Sequence, residues 1–268
     1  MPQVVLTIGG SDSGGGAGIQ ADIKTFSALG LHGTSAITAI TAQNTQGVQK
    51  VFGLQQDVVA AQLESITDDF QVAFAKTGML YSADIVGIVA EHIKKMRIPL
   101  VVDPVIEAEA GGRLLRPEAV AALMVQLIPL ARVVTPNIFE AKLLTGVRVV
   151  DMASAKDAAM RIADLGECAI IVKGGHLDCT DLLFEDGDVH LVQGRRFQGG
   201  NHGVGCTYSA ALAAFLAMGM TLLEAARAAQ QFAANAILWS MPVGRGVGPV
   251  DQMGALREKA RQFDARSC

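Results

Sequence analysis

The sequence predicts an α/β protein with a mostly parallel central β-sheet and helices on both faces. Short runs of consecutive apolar residues recur along the chain, which is typical of strands buried on both faces of a parallel sheet. Between these runs lie segments whose apolar residues repeat at helical spacing, and such alternation produces α/β folds. No linker, internal repeat or low-complexity segment interrupts the pattern, so we expect residues 1–268 to form one domain.

A polar or glycine-rich turn follows each apolar run. In chain order, the predicted strands are 4–8, 35–41, 72–75, 100–102, 132–134 and 169–172. Apolar residues three or four positions apart mark the intervening helices, most clearly at Ile19, Ile23 and Phe26 and again at Ile85, Val89 and Ile93. The carboxyl ends of parallel strands meet at one edge of an open sheet, so the turns should converge on one crevice.

The last third of the chain predicts a hairpin followed by two helices. Segments 181–184 and 189–192 flank Asp186-Gly187, and an Asp-Gly pair between apolar segments indicates a β-hairpin, so the sheet gains antiparallel strands there. Residues 206–218 then predict a helix closed by Gly219, and residues 222–239 predict another.

Composition excludes several classes of protein. The formal net charge is −4, without a cluster of Lys and Arg, which argues against nucleic acid as a partner. The 4 cysteines form no C-x-x-C pair, which argues against structural zinc. The longest apolar stretch, 119–131, is too short to span a bilayer, and no secretory signal is visible. We therefore expect a cytoplasmic protein with no membrane partner.

A glycine-rich turn, Gly203-Val204-Gly205-Cys206, opens the first of these two helices and predicts an anion site. Glycines let backbone N–H groups face an anion, and the helix N-terminus adds unpaired N–H groups and a positive dipole end. A transferred phosphoryl group needs such an environment. The turn matches neither the Walker A pattern nor the dinucleotide fingerprint, and a plain tight connection is the alternative interpretation.

Cys206 stands where a helix N-terminus tends to lower a thiol pKa. It could serve as a base, as a nucleophile or as a small buried residue beside a phosphate. Because His202 lies four residues earlier, a Cys–His hydrolase is a second possibility.

Polar residues near other strand ends are candidate ligand contacts. Asp22 shares a helix face with apolar residues and should be buried. A buried carboxylate requires a hydrogen-bonding or charged partner, or a role in ligand binding. Gln43 could read the donor and acceptor edge of a heterocycle, or it could satisfy a turn. Asn137 and Glu140 form N-x-x-E, which suits either a water-held Mg²⁺ or a helix cap. Lys173 could place a positive charge on a phosphate.

Several of these motifs occur in one characteristic order, within 7–22, 41–45, 102–105, 135–140, 172–176 and 203–206. Together they resemble the phosphomethylpyrimidine kinase family of thiamine biosynthesis, in the ribokinase-like superfamily. The resemblance implies a ribokinase-like three-layer sandwich. It also implies two successive ATP-dependent phosphorylations, of hydroxymethylpyrimidine and then of its monophosphate. Mg²⁺, K⁺ as a further cation, and a homodimer are expected on the same basis.

The resemblance also implies roles for individual residues. Gln43 would bind the aminopyrimidine, and the residues completing its pocket would be Gly10, Asp22, Met79 and Val105. The residues serving ATP would be Asn137, Glu140 and Lys173, with Glu140 and Asp103 near the metal. The anion-hole amides would come from Gly203, Val204 and Gly205, and Cys206 would be the base. If so, Cys206→Ala should slow the first phosphorylation more than the second, whose nucleophile is already ionised.

The chain departs from the family pattern in two places. Val204 replaces a common Thr, which removes a hydroxyl but keeps the backbone amide. Glu107 and Glu109 place acids near the expected phosphates, where like charges repel. The alternative functions are a kinase for pyridoxal or another vitamin heterocycle, which Gln43 does not exclude, and a pyrimidine-binding protein without catalysis.

Overall fold

One mixed β-sheet organises the chain. The computed structural model describes residues 2–107 and 114–258. Within them, nine strands form a sheet in the order β3-β2-β1-β4-β5-β6-β7-β8-β9. The strands are β1 (Val4–Asp12), β2 (His32–Asn44), β3 (Gly47–Gly53), β4 (Val72–Thr77), β5 (Leu100–Val102), β6 (Val133–Val134), β7 (Ala169–Val172), β8 (Thr180–Glu185) and β9 (Asp188–Gln193). In this order, the six neighbouring strands β2, β1, β4, β5, β6 and β7 pair in parallel. Strand β3 pairs antiparallel with β2, β8 with β7, and β9 with β8.

Helices cover both faces of this sheet. They are α1 (Gly18–Ala28), α2 (Gln56–Asp69), α3 (Ala83–Met96), α4 (Pro117–Ala122), α5 (Ile138–Thr145), α6 (Met152–Ala163), α7 (Val204–Ala217) and α8 (Leu222–Leu238). A π-helical turn, Leu123–Leu127, and a short 3₁₀ segment, Ile128–Leu130, continue α4. Among the described residues, no helix combines the length and the apolar character needed to cross a bilayer.

The core consists of two hydrophobic layers, one on each face of the sheet. Helices α2 to α6 pack on one face, with buried residues such as Leu63, Val89 and Ile162. Helices α1, α7 and α8 pack on the other face, with Phe26, Leu212 and several alanines. Small alanine side chains let α7 and α8 lie close to each other and to the sheet. This three-layer arrangement confirms the predicted fold class.

The structure confirms the six predicted parallel strands and the hairpin, with Asp186 and Gly187 at positive φ values of 51° and 89°. It adds β3, which was not predicted. Residues 48–51, Val-Gln-Lys-Val, lie on an edge strand with exposed polar side chains. This segment has no continuous apolar run, so the sequence pattern did not predict it. Hydrogen bonds with β2 hold it as a strand.

Candidate active site

A cavity of about 1320 Å³ opens at the carboxyl ends of the parallel strands. Its walls come from the turns after β1, β2, β4, β5, β6 and β7 and from the start of α7. Of the residues predicted from the sequence, the following line it: Gly10, Asp22, Gln43, Met79, Asp103, Val105, Asn137, Glu140, Lys173, Gly203, Val204, Gly205 and Cys206. The cavity therefore brings together every described residue that was predicted to bind a ligand.

Gly203 shapes the start of α7 as the helix N-cap. Its φ is 84°, a conformation that favours glycine, and a Cβ there would overlap the carbonyl oxygen of Gly16. The Gly203 carbonyl accepts the first helical hydrogen bond, from Thr207 N, at 2.9 Å. A side chain at this position would push apart the two glycine-rich turns that form the cavity wall.

The backbone amides at the start of α7 differ in their hydrogen-bond partners. Val204 N donates to Asn201 O at 3.0 Å, so this amide is already engaged. No hydrogen bond within the described residues uses the N–H of Gly205 or Cys206, which lie in the first turn of α7. Unpaired N–H groups at a helix N-terminus are suited to bind an anion. The anion-binding role of Val204 N stays a prediction, and the N–H groups of Gly205 and Cys206 are the ones without a partner within the described residues.

Lys173 supplies a cation next to this turn. Its Nζ lies 2.8 Å from Asp103 Oδ1 and 4.0 Å from Glu140 Oε2, and a Cβ on Gly205 would lie 3.6 Å from it. Burial alone would lower the pKa of Lys173, but Asp103 and Glu140 outweigh burial and raise it. The ammonium group is therefore charged and stands beside the unpaired amides of α7.

Asp103, which was predicted to lie near a metal, is held by two protein donors. Its Oδ1 accepts from Lys173, and its Oδ2 accepts from Ser209 Oγ at 2.9 Å, with the residue only 2% exposed. Both oxygens are thus occupied by protein donors. Asp103 therefore fixes the position of Lys173, and its direct contact with a metal stays a prediction.

Asn137 and Glu140 form a complete capping box at the start of α5. Asn137 Oδ1 accepts from Phe139 N and Glu140 N, and Glu140 Oε2 accepts from Asn137 N at 2.7 Å. Burial raises the pKa of Glu140 to about 7, against the opposing effect of Lys173. Asn137 and Glu140 therefore do cap the helix, as one interpretation of the sequence predicted. The capping hydrogen bonds also direct the Glu140 carboxyl toward Lys173 and the cavity.

The residues near Lys173 could hold a magnesium ion only together with bound phosphates. Among the described residues, no group of three or more Asp, Glu, His or Cys side chains could enclose a metal. Glu140 Oε1 accepts no hydrogen bond in this part of the chain, and it belongs to a residue that lines the cavity. Mg²⁺ commonly binds one carboxylate, waters and substrate phosphates. The residues therefore fit an ion that bound phosphates hold, with Glu140 contributing directly or through water.

Beneath the α7 turn lies a fully buried ion pair that sequence reasoning missed. Lys76 Nζ lies 2.8 Å from Asp22 Oδ2 and 3.0 Å from Oδ1, and Thr7 Oγ1 donates to Oδ2 at 2.6 Å. The Asp22 carboxylate raises the pKa of Lys76 although burial opposes this. Asp22 borders the cavity as predicted, but its carboxylate already has protein partners, so direct contact with a ligand stays a prediction.

The thiol of Cys206 differs from expectation. Burial is the largest effect and raises its pKa to about 12. Lys76 acts in the opposite direction, as does a hydrogen bond from the Gly18 N–H, whereas Asp22 and Asp103 raise the pKa further. The predicted lowering of the pKa is therefore wrong, because burial, with Asp22 and Asp103 nearby, outweighs the effects of Lys76 and of the Gly18 N–H. At neutral pH the thiol keeps its proton.

The same cavity holds the residues expected to bind a heterocycle. A Cβ on Gly10 would lie 3.0 Å from Met79 Sδ, so these two residues form a close apolar wall. Gln43 is partly buried; its Oε1 lies 3.1 Å from Thr41 Oγ1, and its Nε2 lies 3.4 Å from His202 Nε2. Val105 borders the same space. An apolar wall and a side-chain amide in one cavity suit a flat ring with polar edge atoms.

His202 contacts Asp12 rather than Cys206. Its Nε2 lies 2.9 Å from Asp12 Oδ2, and no hydrogen bond joins it to the thiol in the described part of the chain. The structure thus gives no support to a Cys–His hydrolase. The role of Asp12 was missed, although an acid inside a glycine-rich turn is itself a signal for a residue that gathers backbone N–H groups.

A buried carboxyl behind the Lys173 turn was also missed. Asp181 Oδ1 accepts from Gly174 N at 2.7 Å, and burial raises the pKa of Asp181 to about 6. Tyr208 on α7 lies near enough to affect this pKa, yet neither Asp181 Oδ2 nor the Tyr208 hydroxyl makes a direct hydrogen bond within the described residues. Glu107 is exposed at the cavity rim, and Glu109 lies outside the described residues.

Comparison with known proteins agrees with this geometry. The model of a family described as "Phosphomethylpyrimidine kinase" matches residues 12–251. A hydroxymethylpyrimidine/phosphomethylpyrimidine kinase of Rhizobium meliloti is 48% identical over 261 residues, which cover 93% of this chain and 97% of that one. The ADP complex of Bacillus subtilis pyridoxal kinase has a TM-score of 0.88 at 38% identity, covering 96% and 99% of the two chains. Phosphomethylpyrimidine kinase of Clostridium difficile has a TM-score of 0.77 at 40% identity, covering 88% and 98%.

Proposed function

The chain belongs to the phosphomethylpyrimidine kinase family, and from this premise we propose that it phosphorylates hydroxymethylpyrimidine with ATP and then phosphorylates the resulting monophosphate. The chain is a phosphotransferase of thiamine biosynthesis like its relatives. The observation that carries the proposal is the placement of Lys173 and the unpaired α7 amides in the same cavity as Gln43. A phosphate-binding end and a heterocycle-binding end thus share one space.

The phosphate end would act mainly by positioning and by neutralising charge. The N–H groups of Gly205 and Cys206 would donate to the transferred phosphoryl oxygens while Lys173, held by Asp103, adds positive charge. Phosphoryl transfer passes through a loose transition state, so general-base catalysis contributes little to its rate. A protonated Cys206 thiol is compatible with this chemistry, since the proton of the substrate hydroxyl need leave only late in the transfer.

Mg²⁺ is part of the proposal, as the ion that neutralises ATP phosphates when bound. Support comes from the Glu140 carboxyl, which the α5 capping box directs toward Lys173. K⁺ as a further cation, a cytoplasmic location and a homodimer complete the proposal. They are supported by the family resemblance alone.

Substrate profiling of the purified protein tests the proposed function. ADP release would be followed with hydroxymethylpyrimidine, its monophosphate and pyridoxal, each over a range of concentrations. We expect both pyrimidines to be turned over, with higher kcat/KM than pyridoxal. Turnover of pyridoxal alone would show that the substrate assignment is wrong.

A pyridoxal kinase is the second candidate, and one observation favours it. The TM-score with the Bacillus subtilis pyridoxal kinase exceeds that with the Clostridium difficile phosphomethylpyrimidine kinase, 0.88 against 0.77. Sequence identities of 38% and 40% do not separate the two. The profiling experiment above decides between them because the same assay measures both substrates.

A further inference from the structure

His202 lies where several segments of the cavity wall meet. Its backbone N–H donates to Gly248 O at 3.3 Å, and its carbonyl accepts from Val250 N at 3.1 Å. A Cβ on Gly16 would overlap the imidazole ring, so the first glycine-rich turn packs directly on it. The side chain is only 12% exposed and borders the cavity. The ring is therefore held firmly beside the heterocycle end.

The partners of Asp12 determine what His202 Nε2 can do. Asp12 Oδ1 accepts from Gly14 N, and Oδ2 accepts from Gly16 N and Ala17 N, at 2.8, 3.1 and 2.9 Å. Burial would raise the pKa of Asp12, but hydrogen bonds from His202, Ala17 and Gly14 outweigh it and lower the pKa. A charged carboxylate 2.9 Å away requires a hydrogen on His202 Nε2. This holds for the neutral ring with Nε2–H and for the imidazolium.

This hydrogen restricts the side-chain amide of Gln43. A nitrogen that donates to Asp12 cannot also accept from the Gln43 NH₂ group at 3.4 Å. The amide oxygen is the compatible neighbour of His202. The NH₂ group then faces Thr41 Oγ1, which can accept from it and donate to Ser11 O at 3.0 Å. The orientation of such an amide follows from its hydrogen-bond partners.

The Gln43 backbone is fixed as well. Ser13 Oγ accepts from Gln43 N at 2.8 Å and donates to Gln43 O at 2.7 Å. With the backbone held, only the side-chain torsions of Gln43 remain free. His202 limits these torsions by fixing which atom of the amide lies next to it. One oxygen lone pair and one N–H remain to face the cavity. An exocyclic amine next to a ring nitrogen, as in an aminopyrimidine, is complementary to this edge.

We propose that His202, held by Asp12, is a positioning residue that fixes the Gln43 amide and thereby selects an aminopyrimidine over a pyridine that lacks the adjacent amine. This inference rests on the proposed function, because it places the heterocycle against Gln43. His202 acts through Gln43 and has no role in the phosphoryl transfer itself. Its effect should therefore fall on heterocycle binding and selectivity, and ATP binding should be unaffected.

A double-mutant cycle tests this coupling. The variants are His202→Phe, Gln43→Ala and the pair, with calorimetric binding of hydroxymethylpyrimidine and of a non-hydrolysable ATP analogue. We expect His202→Phe alone to weaken pyrimidine binding about tenfold, because the Gln43 amide loses the neighbour that fixes its orientation, and to leave affinity for the analogue within about twofold. In the Gln43→Ala background the same change should have less than about a twofold effect.

Two further variants separate positioning from loss of structure. His202→Gln can place a donor near the former Nε2 and should recover most of the binding. His92→Phe is the matched control, since His92 is also buried but contacts Ile88 O and Glu64 away from the cavity. Selectivity is read as the ratio of kcat/KM for hydroxymethylpyrimidine to that for pyridoxal, which should fall several-fold in His202→Phe only.

The possible outcomes separate this inference from the proposed function. If the unmodified protein neither binds nor phosphorylates hydroxymethylpyrimidine, the proposed function and the inference are both overturned. If it does both, but His202→Phe weakens binding equally with and without Gln43, the inference alone is overturned. Equal losses with pyrimidine, pyridoxal and the ATP analogue would also overturn it, because they would indicate a structural role.

Discussion

At the scale of single residues, enclosure decides the protonation of the cavity's side chains. Cys206 and Asp181 both lie beside groups that could stabilise their anions, yet burial is the largest effect on each and raises both pKa values. Charged lysines, by contrast, keep their protons because each has a carboxylate partner, Asp22 for Lys76 and Asp103 for Lys173. At neutral pH the site thus holds paired charges and a protonated Cys206 thiol rather than a free thiolate base.

Cys206→Ala should affect the two phosphorylations alike. A thiol with a pKa of about 12 is neutral from pH 7 to 9 and cannot act as the base of the first step. We expect kcat for the two steps to fall by factors that agree within about threefold, because the same α7 amides serve both. Rapid-quench measurement of each step checks this. A loss confined to the first step would restore the base role predicted from the sequence.

Asp181→Asn should stabilise the folded protein at high pH. The Asp181 pKa is raised to about 6, so ionisation destabilises the folded state. This cost is absent below pH 4, grows as the pH rises toward 6 and is complete above it. A shift of about two units corresponds to about 3 kcal/mol. Urea unfolding should show that Asp181→Asn raises the free energy of unfolding over that of the unmodified protein by up to this amount at pH 8, and leaves it unchanged at pH 4. An equal difference between the two proteins at both pH values would contradict the assignment.

At the scale of elements, helix N-termini build the phosphate end. Helix α7 presents unpaired amides because its N-cap is a glycine, without a side chain to bond them. Helix α5 is closed by its capping box, in which Glu140 bonds the N-cap backbone. The same local rules therefore leave one helix start open to an anion and close the other.

Gly203→Ala and Gly205→Ala should behave differently. At Gly203 a side chain overlaps Gly16 O and the backbone has φ 84°, so we expect a loss of about 2 kcal/mol or more of stability together with most activity. At Gly205 the new methyl meets only Lys173 Nζ at 3.6 Å, so the fold should persist. Thermal melting and kcat of both variants check this. A stable, active Gly203→Ala protein would show that the turn can be built without glycine.

Glu140→Gln should separate capping from metal binding. The glutamine oxygen can still accept from Asn137 N, so stability should change by less than about 1 kcal/mol. Its neutral amide is a poorer Mg²⁺ ligand, so the Mg²⁺ concentration for half-maximal rate should rise about tenfold. Asn137→Ala is the contrasting variant, expected to lose about 1 kcal/mol of stability. An unchanged Mg²⁺ requirement in Glu140→Gln would leave Glu140 with a capping role only.

At the scale of the whole molecule, polar contacts in the crevice connect distant parts of the chain. Asp12 and His202 join the first strand to the approach of α7, and Thr45 O accepts from Val247 N at 3.0 Å. The Asp22–Lys76 pair ties α1 to the central strand β4 inside the protein. Ligand-binding geometry and folding stability therefore depend on the same contacts.

Breaking this buried pair should destabilise the fold strongly. We expect Lys76→Met and Asp22→Asn each to cost about 3–5 kcal/mol, because each leaves a buried polar partner unmatched. The double variant should cost clearly less than the sum, since it removes both members. Urea unfolding of the three proteins measures the coupling. Strictly additive losses would show that the two side chains do not act as a unit.

Much of the fold follows from short-range patterns. Continuous apolar runs predicted the parallel strands, and Asp186-Gly187 predicted the hairpin that the structure contains. Turn residues after the strands predicted one crevice, because parallel strands end at the same edge. Strand β3 escaped prediction because its order comes from pairing with β2 and not from its own pattern.

The sequence by itself determined the fold class, the kinase family and many of the residues that line the cavity, since these depend on periodicity and on motifs local to each strand end. Only the tertiary structure decided what those residues do to one another. It paired Lys76 with Asp22 and Lys173 with Asp103, engaged the Val204 amide and kept the Cys206 thiol protonated. Burial and pairing arise between segments far apart in the chain, so no local pattern carries them.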